Sequence, residues 1–201
     1  DTLFFTLEIN RIADERLAAQ LASDALAHYR PWLDQIRAFR PHQLSDELER
    51  MLHEKSVTGH SAWSRAFDEA IADLRFNIGR GTLTCDQALN MLTDPKREKR
   101  KEAAIEIGRV FGENRRSFAL ITNTLAKDKE IEDRWRDYRR PVSSRNLANQ
   151  VEDEVVDALV AAVRMNYANL SHRYYALKAK WFGGDRLDFW DRNAPLPDVE
   201  E

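Results

Sequence analysis

The sequence predicts an all-α protein with one small β-hairpin, and three observations carry that expectation. Only 7 of 201 residues are glycine and 6 are proline, while 43% are hydrophobic and 32% charged. That balance belongs to a water-soluble, helix-rich chain rather than to a disordered one or a β-sandwich. Two long apolar series recur at helical spacing. One short stretch alternates in polarity around glycine, the only strand signal present. A chain of this length holds one large domain, or a domain with a small lobe.

The first 60 residues read as several short helices. Leu3-Phe4-Phe5, Leu7, Ile9 and Ile12 open the run, and Leu17, Leu21, Leu26 and Tyr29 continue it. Pro31 and Pro41 punctuate it, because proline ends one helix or starts the next. Ser45-Asp46-Glu47 is a polar helix entry. The helix it opens, over about 46–57, stops near Thr58-Gly59, a C-terminal glycine that places a lobe boundary there.

Ala62 to Leu74 is helical by pattern, with Trp63, Ala66, Phe67, Ala70, Ile71 and Leu74 at spacings of three and four. Residues 75–83 give the hairpin signal. Thr84-Cys85-Asp86-Gln87 fits a capping box, in which Thr84 and Gln87 satisfy each other's free N–H groups. Asp94-Pro95 marks a further helix start.

Ile107, Phe111, Asn114, Phe118, Ile121 and Leu125 then recur at steps of 4, 3, 4, 3 and 4. A second series, Val156, Leu159, Val163, Tyr167, Leu170, Tyr174, Leu177 and Trp181, runs at 3, 4, 4, 3, 4, 3 and 4. Each is a near-heptad stripe on a helix of about 30 residues or more, roughly 45–50 Å long. The expected helices cover about 95–130 and 152–182. Each buried side chain of this size contributes about 1.5–3 kcal/mol gross, so the stripes are expected to pack mainly against each other and nearby helices. Between them, Tyr138 to Asn149 is a polar connection. The second helix stops at Gly183-Gly184.

The net charge of −3 gives no general pull toward nucleic acid or an anionic membrane. No run of about 18 apolar residues is present, so no membrane span is expected, and no basic-then-apolar signal opens the chain. Cys85 stands alone and cannot form an internal disulfide, which points to a reducing cytoplasm. Its setting inside the capping box marks a buried thiol, not a nucleophile. The start at Asp1 without methionine and the ending at residues 198–201 suggest an excised segment.

A zinc peptidase needs two histidines one helical turn apart, with a glutamate beside them to activate water. The only His-Glu pair is His53-Glu54, and Val57 stands where the second histidine belongs. His60 lies about 10 Å further along a helical path that Gly59 interrupts, too far for one zinc ion to bind both. His28, His42 and His172 are scattered, and His172 reads as a structural histidine. No Gly-x-Ser-x-Gly or phosphate-binding loop occurs. Two basic clusters remain. Lys96-Arg97-Glu98-Lys99-Arg100-Lys101 opens a helix, where positive charge is unfavourable. Arg134, Arg136, Arg139 and Arg140 flank Trp135 and Tyr138, a mixture able to bind a nucleic-acid strand or an acidic peptide. Solvated helix charge is the simpler reading of both.

Residues 171–197 carry the closing helix, its double-glycine stop, an aromatic-acidic segment and Asn193-Ala194-Pro195-Leu196-Pro197. This order resembles the oligoendopeptidase F branch of the thimet-oligopeptidase-like zinc metallopeptidases, in which a similar segment lies upstream of the zinc helix. Leu3 to Asn10, Tyr29 to Leu33 and Arg40 to Ser45 resemble the small N-terminal region of that branch. Leu83-Thr84 through Asp94-Pro95-Lys96-Arg97, Asn123 to Lys129 and Ser144 to Asn149 continue the likeness in order.

The resemblance implies an all-helical, two-lobed peptidase with a deep channel for short peptides. Residues 1–60 would form the small N-terminal lobe, and residues 61–201 the upstream part of the helical peptidase domain. In that family the zinc helix carries His-Glu-x-x-His and a further glutamate downstream, and no position here matches either. No catalytic, cofactor-binding or metal-ligating residue is therefore assigned, and no zinc is expected on this chain. The implied role is a non-catalytic N-terminal portion of a cytoplasmic zinc oligoendopeptidase, forming scaffold and channel wall, with short peptides as the whole enzyme's substrates. No membrane or nucleic-acid partner is expected. The alternative is a helical module that binds protein or nucleic acid through the Arg134–Arg140 cluster.

Overall fold

The computed structural model describes residues 3–197; Asp1 and residues 198–201, on which the reading of an excised segment rests, lie outside them. In chain order the elements are α1 (Leu3–Arg11), α2 (Asp14–Leu21), α3 (Asp24–Ala27), α4 (Arg30–Ala38), α5 (Asp46–Ser56) and α6 (His60–Asp73). The hairpin strands β1 (Phe76–Ile78) and β2 (Gly81–Leu83) follow, then α7 (Cys85–Asn90), α8 (Arg97–Glu113), α9 (Arg115–Trp135), α10 (Ser143–Ala148), α11 (Asp153–Asn166) and α12 (Arg173–Trp181). The protein is all-α with one small hairpin, as its sequence predicts. Among the described residues no helix is long and apolar enough to cross a membrane.

The fold divides into two compact units, one made of the residues up to Trp63 with Thr124–Ala158, the other of Ser64–Asn123 with the residues from Leu159 onward. The expected lobe of residues 1–60 falls in the first unit, which also takes in the second half of α9 and all of α10.

In the first unit, α1 lies against α4 and α5. Leu7 and Ile9 from α1 and Leu17 and Leu21 from α2 are buried. Arg37 of α4 donates to the Ile9 carbonyl at 2.8 Å and also pairs with Asp14, joining three helices through one side chain. Beyond α5, the Gly59 N–H donates to the Lys55 carbonyl at 2.8 Å. A Cβ at Gly59 would stand 3.1 Å from that oxygen, so the close approach favours glycine. Just past α9 stands Asp137 at φ 56°, and the Tyr138 N–H reaches back to the Asp133 carbonyl at 2.9 Å. This is a Schellman-type stop with aspartate in the place usually held by glycine.

In the second unit the core gathers Leu74, Phe76, Ile78, Cys85, Ala88, Ala103 and Val110, with Ile107, Phe111 and Phe118 packed against it. The hairpin pairs Phe76 with Leu83, Asn77 with Thr82 and Ile78 with Gly81. Alternation buries Phe76 and Ile78 and leaves Asn77 in solvent. The turn needs Gly79 at φ 64°, a conformation open to glycine at no steric cost. The capping box is present: Thr84 Oγ1 accepts from the Gln87 N–H, and Gln87 Oε1 accepts from the Thr84 N–H.

The two expected long helices form with differences. The first is split into α8 and α9, and α9 runs on to Trp135. At Asn114 the backbone turns to ψ 3°, and the side-chain Nδ2 donates to the Val110 carbonyl at 2.9 Å. Asparagine competes for backbone partners in this way, which is why it marks the break. The second contains a π-helical turn over Ala168–His172, in which the His172 N–H bonds the Tyr167 carbonyl five residues back at 2.9 Å. It ends as expected at Gly183, at φ 77°, with the Gly184 N–H returned to the Ala179 carbonyl at 3.0 Å. The expected packing of the second stripe against the first does not occur: every residue from Ala158 to Leu177 is exposed. Periodicity defines an apolar face, but it does not supply a partner for it.

Candidate functional site

The basic cluster at the start of α8 acquires its partners from a segment about ninety residues away. The buried Arg100 places Nη2 2.7 Å from Asp191 Oδ1, and its other nitrogens donate to the carbonyls of Asp94 (2.8 Å), Pro95 (3.0 Å) and Trp190 (3.2 Å). Arg97 donates to the second Asp191 oxygen at 3.1 Å and also pairs with Asp188. The Trp190 ring lies 5.8 Å from the Arg97 guanidinium and 5.6 Å from the Lys101 ammonium, within cation–π range. From α12, Lys178 donates to the carbonyls of Arg192 and Ala194, each at 2.8 Å.

Lys178 is only 2% exposed. Burial pushes its ammonium pKa down and the nearby Arg100 charge adds to that, while Asp191 works in the opposite direction. Residues 188–194 thus form a strap held by cations from two helices. One buried carboxylate, Asp191, faces both Arg100 and Lys178. A network of this kind fixes one path for the chain, because any other path leaves buried charge unpaired.

The first unit has a comparable node at Arg136, near the end of α9. Its guanidinium grips Glu49 of α5 at 2.6 and 3.0 Å, reaches Glu132 at 2.8 Å and donates to the His42 carbonyl at 3.2 Å. Burial alone would raise the Glu49 carboxyl. The Arg136 hydrogen bonds and charge, with the Leu44 N–H at 2.8 Å, overcome it and hold the pKa below the usual value. The His42 ring stacks on Tyr138 at 4.0 Å, and its Nδ1 lies 2.7 Å from the Arg136 carbonyl. A carbonyl only accepts, so that nitrogen carries the proton. Burial raises the Tyr138 hydroxyl pKa.

Beside this node is an apolar cavity of 660 Å³ lined by Leu44, Leu48, Leu52, Ile131 and Trp135. His53 and His60 also border it, yet neither stands with the further donors a zinc site requires. Among the described residues no group of three or more His, Cys, Asp or Glu side chains is close enough to hold a metal ion. This donor set does not fit a zinc centre.

The remaining sequence candidates are dispersed. The His28 ring lies 3.8 Å from the Tyr29 ring, and His172 sits in the π turn with Tyr167 6.2 Å away. Cys85 is buried, and burial followed by the Asp86 charge pushes its thiol pKa up, away from a reactive thiolate. Three arginines of the Arg134–Arg140 cluster are engaged by carboxylates. Arg134 meets Glu130 at 3.1 Å, Arg136 holds Glu49, and Arg140 grips Asp157 at 2.9 and 2.7 Å. A nucleic-acid strand would have to compete with those bonds.

The strap has no local signature in the sequence, because Asp191 lies 91 residues from Arg100. Its one signal was the unfavourable positive charge at the start of α8.

The helical fold is similar to that of bacterial peptidases. The Oligopeptidase F family model matches residues 8–76. The chain is 28% identical to oligopeptidase PepF of Bacillus subtilis over 97% of its own length and 30% of that protein. It is 25% identical to group B oligopeptidase PepB of Streptococcus agalactiae over 87% of this chain and 30% of that one. The crystal structure of oligoendopeptidase-F from Enterococcus faecium superposes with a TM-score of 0.82 at 25% identity, covering 96% of this chain and 39% of that one. The fold is that of a portion of a helical peptidase. More specifically, the chain is similar to the N-terminal portion of oligoendopeptidase F proteins. It spans less than a third of the length of the curated relatives it matches.

Proposed function

We propose that this chain is a non-catalytic N-terminal portion of a cytoplasmic, zinc-dependent oligoendopeptidase that hydrolyses short peptides. Its role is to provide scaffold and part of the substrate-channel wall. The observation that carries this reading is the continuous likeness to oligoendopeptidase-F, which extends over 96% of the chain. The same reading takes residues 1–60 as the small N-terminal lobe and residues 61–201 as the upstream part of the helical peptidase domain. The described side chains fit structure better than chemistry: the buried charges at Arg100, Lys178 and Asp191 hold backbone, and Arg136 joins α5 to α9.

Two measurements test the proposal. Metal analysis and peptide turnover on the purified chain are expected to give no stoichiometric zinc and no cleavage. Saturable turnover by metal-checked protein would overturn the non-catalytic assignment. Reading the native coding sequence past Glu201 is expected to reveal His-Glu-x-x-His, and a stop codon there would remove the peptidase reading.

A further inference from the structure

The two edges of the hairpin are finished differently. Along β1, Glu106 Oε1 accepts the Asn77 N–H at 2.9 Å and Glu102 Oε1 accepts the Gly79 N–H at 2.8 Å. Side chains of α8 thus occupy the donors that a further strand would need on that side. The same bonds fix which groups of β2 face outward. With the Asn77 N–H turned toward α8, the Asn77–Thr82 pair exchanges no main-chain bonds, and the Thr82 N–H and carbonyl point away from β1. Neither of those Thr82 groups has a partner among the described residues, and Gly81 and Thr82 are exposed. The Thr82 hydroxyl is used within the hairpin, donating to Asn77 Oδ1 at 3.1 Å. A Cβ added at Gly81 would meet nothing within 4 Å, so nothing crowds the strand there. An edge with free main-chain groups is a template for pairing with another extended chain.

Charge gives this edge a direction. Arg80 stands in the turn before β2 and Asp86 in the first turn of α7 after it. Both are exposed, and neither makes an ion pair among the described residues. A chain antiparallel to β2 carries its C-terminal end toward Arg80 and its N-terminal end toward Thr84 and Asp86. A parallel chain would set each end against like charge. With its third residue opposite Thr82, an antiparallel pentapeptide places its fifth residue opposite Arg80 and its first opposite Thr84, a span of about 13 Å at strand rise.

Resting on the peptidase reading for the nature of the ligand, we propose that the outer edge of β2 binds the main chain of a short, free-ended peptide. The peptide lies antiparallel to β2, with its carboxylate at Arg80 and its ammonium at Asp86. Its central residue exchanges both main-chain bonds with Thr82. Such a contact reads backbone and chain ends rather than side chains, which suits a channel wall that meets peptides of varied sequence.

The test titrates the chain with a free-ended pentapeptide of alternating threonine and valine, followed by amide NMR shifts. Shifts are expected at residues 80–86, with binding about tenfold weaker to Thr82→Pro and about threefold weaker to Arg80→Ala. Proline removes the outward N–H from an edge position without touching a bond of the hairpin, and Thr82→Val, which keeps that N–H, should bind like the unmodified chain. A peptide N-methylated at its central residue should bind about tenfold more weakly too, which tests the same pairing from the ligand side should Thr82→Pro fail to fold. Undiminished binding of the N-methylated peptide, or of one with both ends blocked, overturns the proposal. So does a dimer paired through β2 that excludes the peptide. Slow amide hydrogen exchange at Thr82 in the peptide-free native polypeptide would mean that another strand already holds the edge, and overturns it as well. The peptidase reading is decided separately by the coding sequence, so either can fail without obscuring the other.

Discussion

Two stripes of equal regularity in the sequence have opposite fates in the structure. Ile107, Phe111 and Phe118 pack against the core of the second unit, and Ile121 is buried. Leu159, Val163, Tyr167 and Leu170 stand in solvent. The difference does not lie in hydrophobicity or spacing. It lies in what the fold brings opposite: the first stripe meets Phe67, Phe76 and the hairpin, with Phe111 and Phe118 5.7 Å apart between ring centroids. The second meets no such partner over Ala158–Leu177. Only α12's other side is enclosed, where Lys178 and Ala179 are buried under the strap.

The sharpest way to break this comparison is to empty the first region. Phe76 is fully buried at the centre of the cluster, and Phe76→Ala should cost about 3–5 kcal/mol, measured by urea denaturation. A loss under about 1 kcal/mol would mean that the cluster is not the core.

The strap comes next. Asp191→Ala should cost about 3 kcal/mol, because it leaves Arg100 and Lys178 as buried like charges without their carboxylate. Adding Lys178→Met should return part of that loss, since one member of the repelling pair is gone. Strict additivity in the double mutant would show that the two cations do not sense each other.

The hairpin, the capping box and the glycine stop at Gly183 were legible in the sequence, because each is fixed by residues a few positions apart. Asn114 has the spacing of the first stripe, yet its side chain bonds the Val110 carbonyl at a helix break instead. The π turn left no local sign, since a run of residues compatible with an α-helix is equally compatible with one wider turn. The strap was illegible for a different reason. Asp191 lies 91 residues from Arg100, and no periodicity links positions so far apart. Exposure of the second stripe was beyond reach as well, because an apolar pattern records which side of a helix is greasy and not what covers it.

A smaller effect distinguishes the solvent side of the first region. Glu106 on α8 accepts the Asn77 N–H at 2.9 Å and binds Arg109, and its carboxyl is held at about 2, chiefly by Arg109 and then by Asn77. A depressed folded pKa stabilises the protein above the ordinary carboxylate range and loses that contribution as pH falls toward 2. Carboxyl NMR should show Glu106 titrating well below its neighbours, and Glu106→Gln should flatten the acid limb of stability in that window. The side chains are partly in water, so added salt should shrink the effect. An ordinary titration would detach the hairpin from α8 at this point.

The smallest expected effect is the most discriminating for the comparison itself. Leu170→Ala removes a large apolar side chain from an exposed position, and its cost to folding should stay within about 0.5 kcal/mol. The same truncation in a packed core costs about 2–5 kcal/mol. Leucine and alanine are both good helix formers, so propensity cannot mask the result. A denaturation midpoint close to that of the unmodified chain would therefore establish that the second stripe contributes little to the stability of this chain. A drop of 2 kcal/mol or more would require the stripe to be buried in solution, and the contrast between the two helices would collapse.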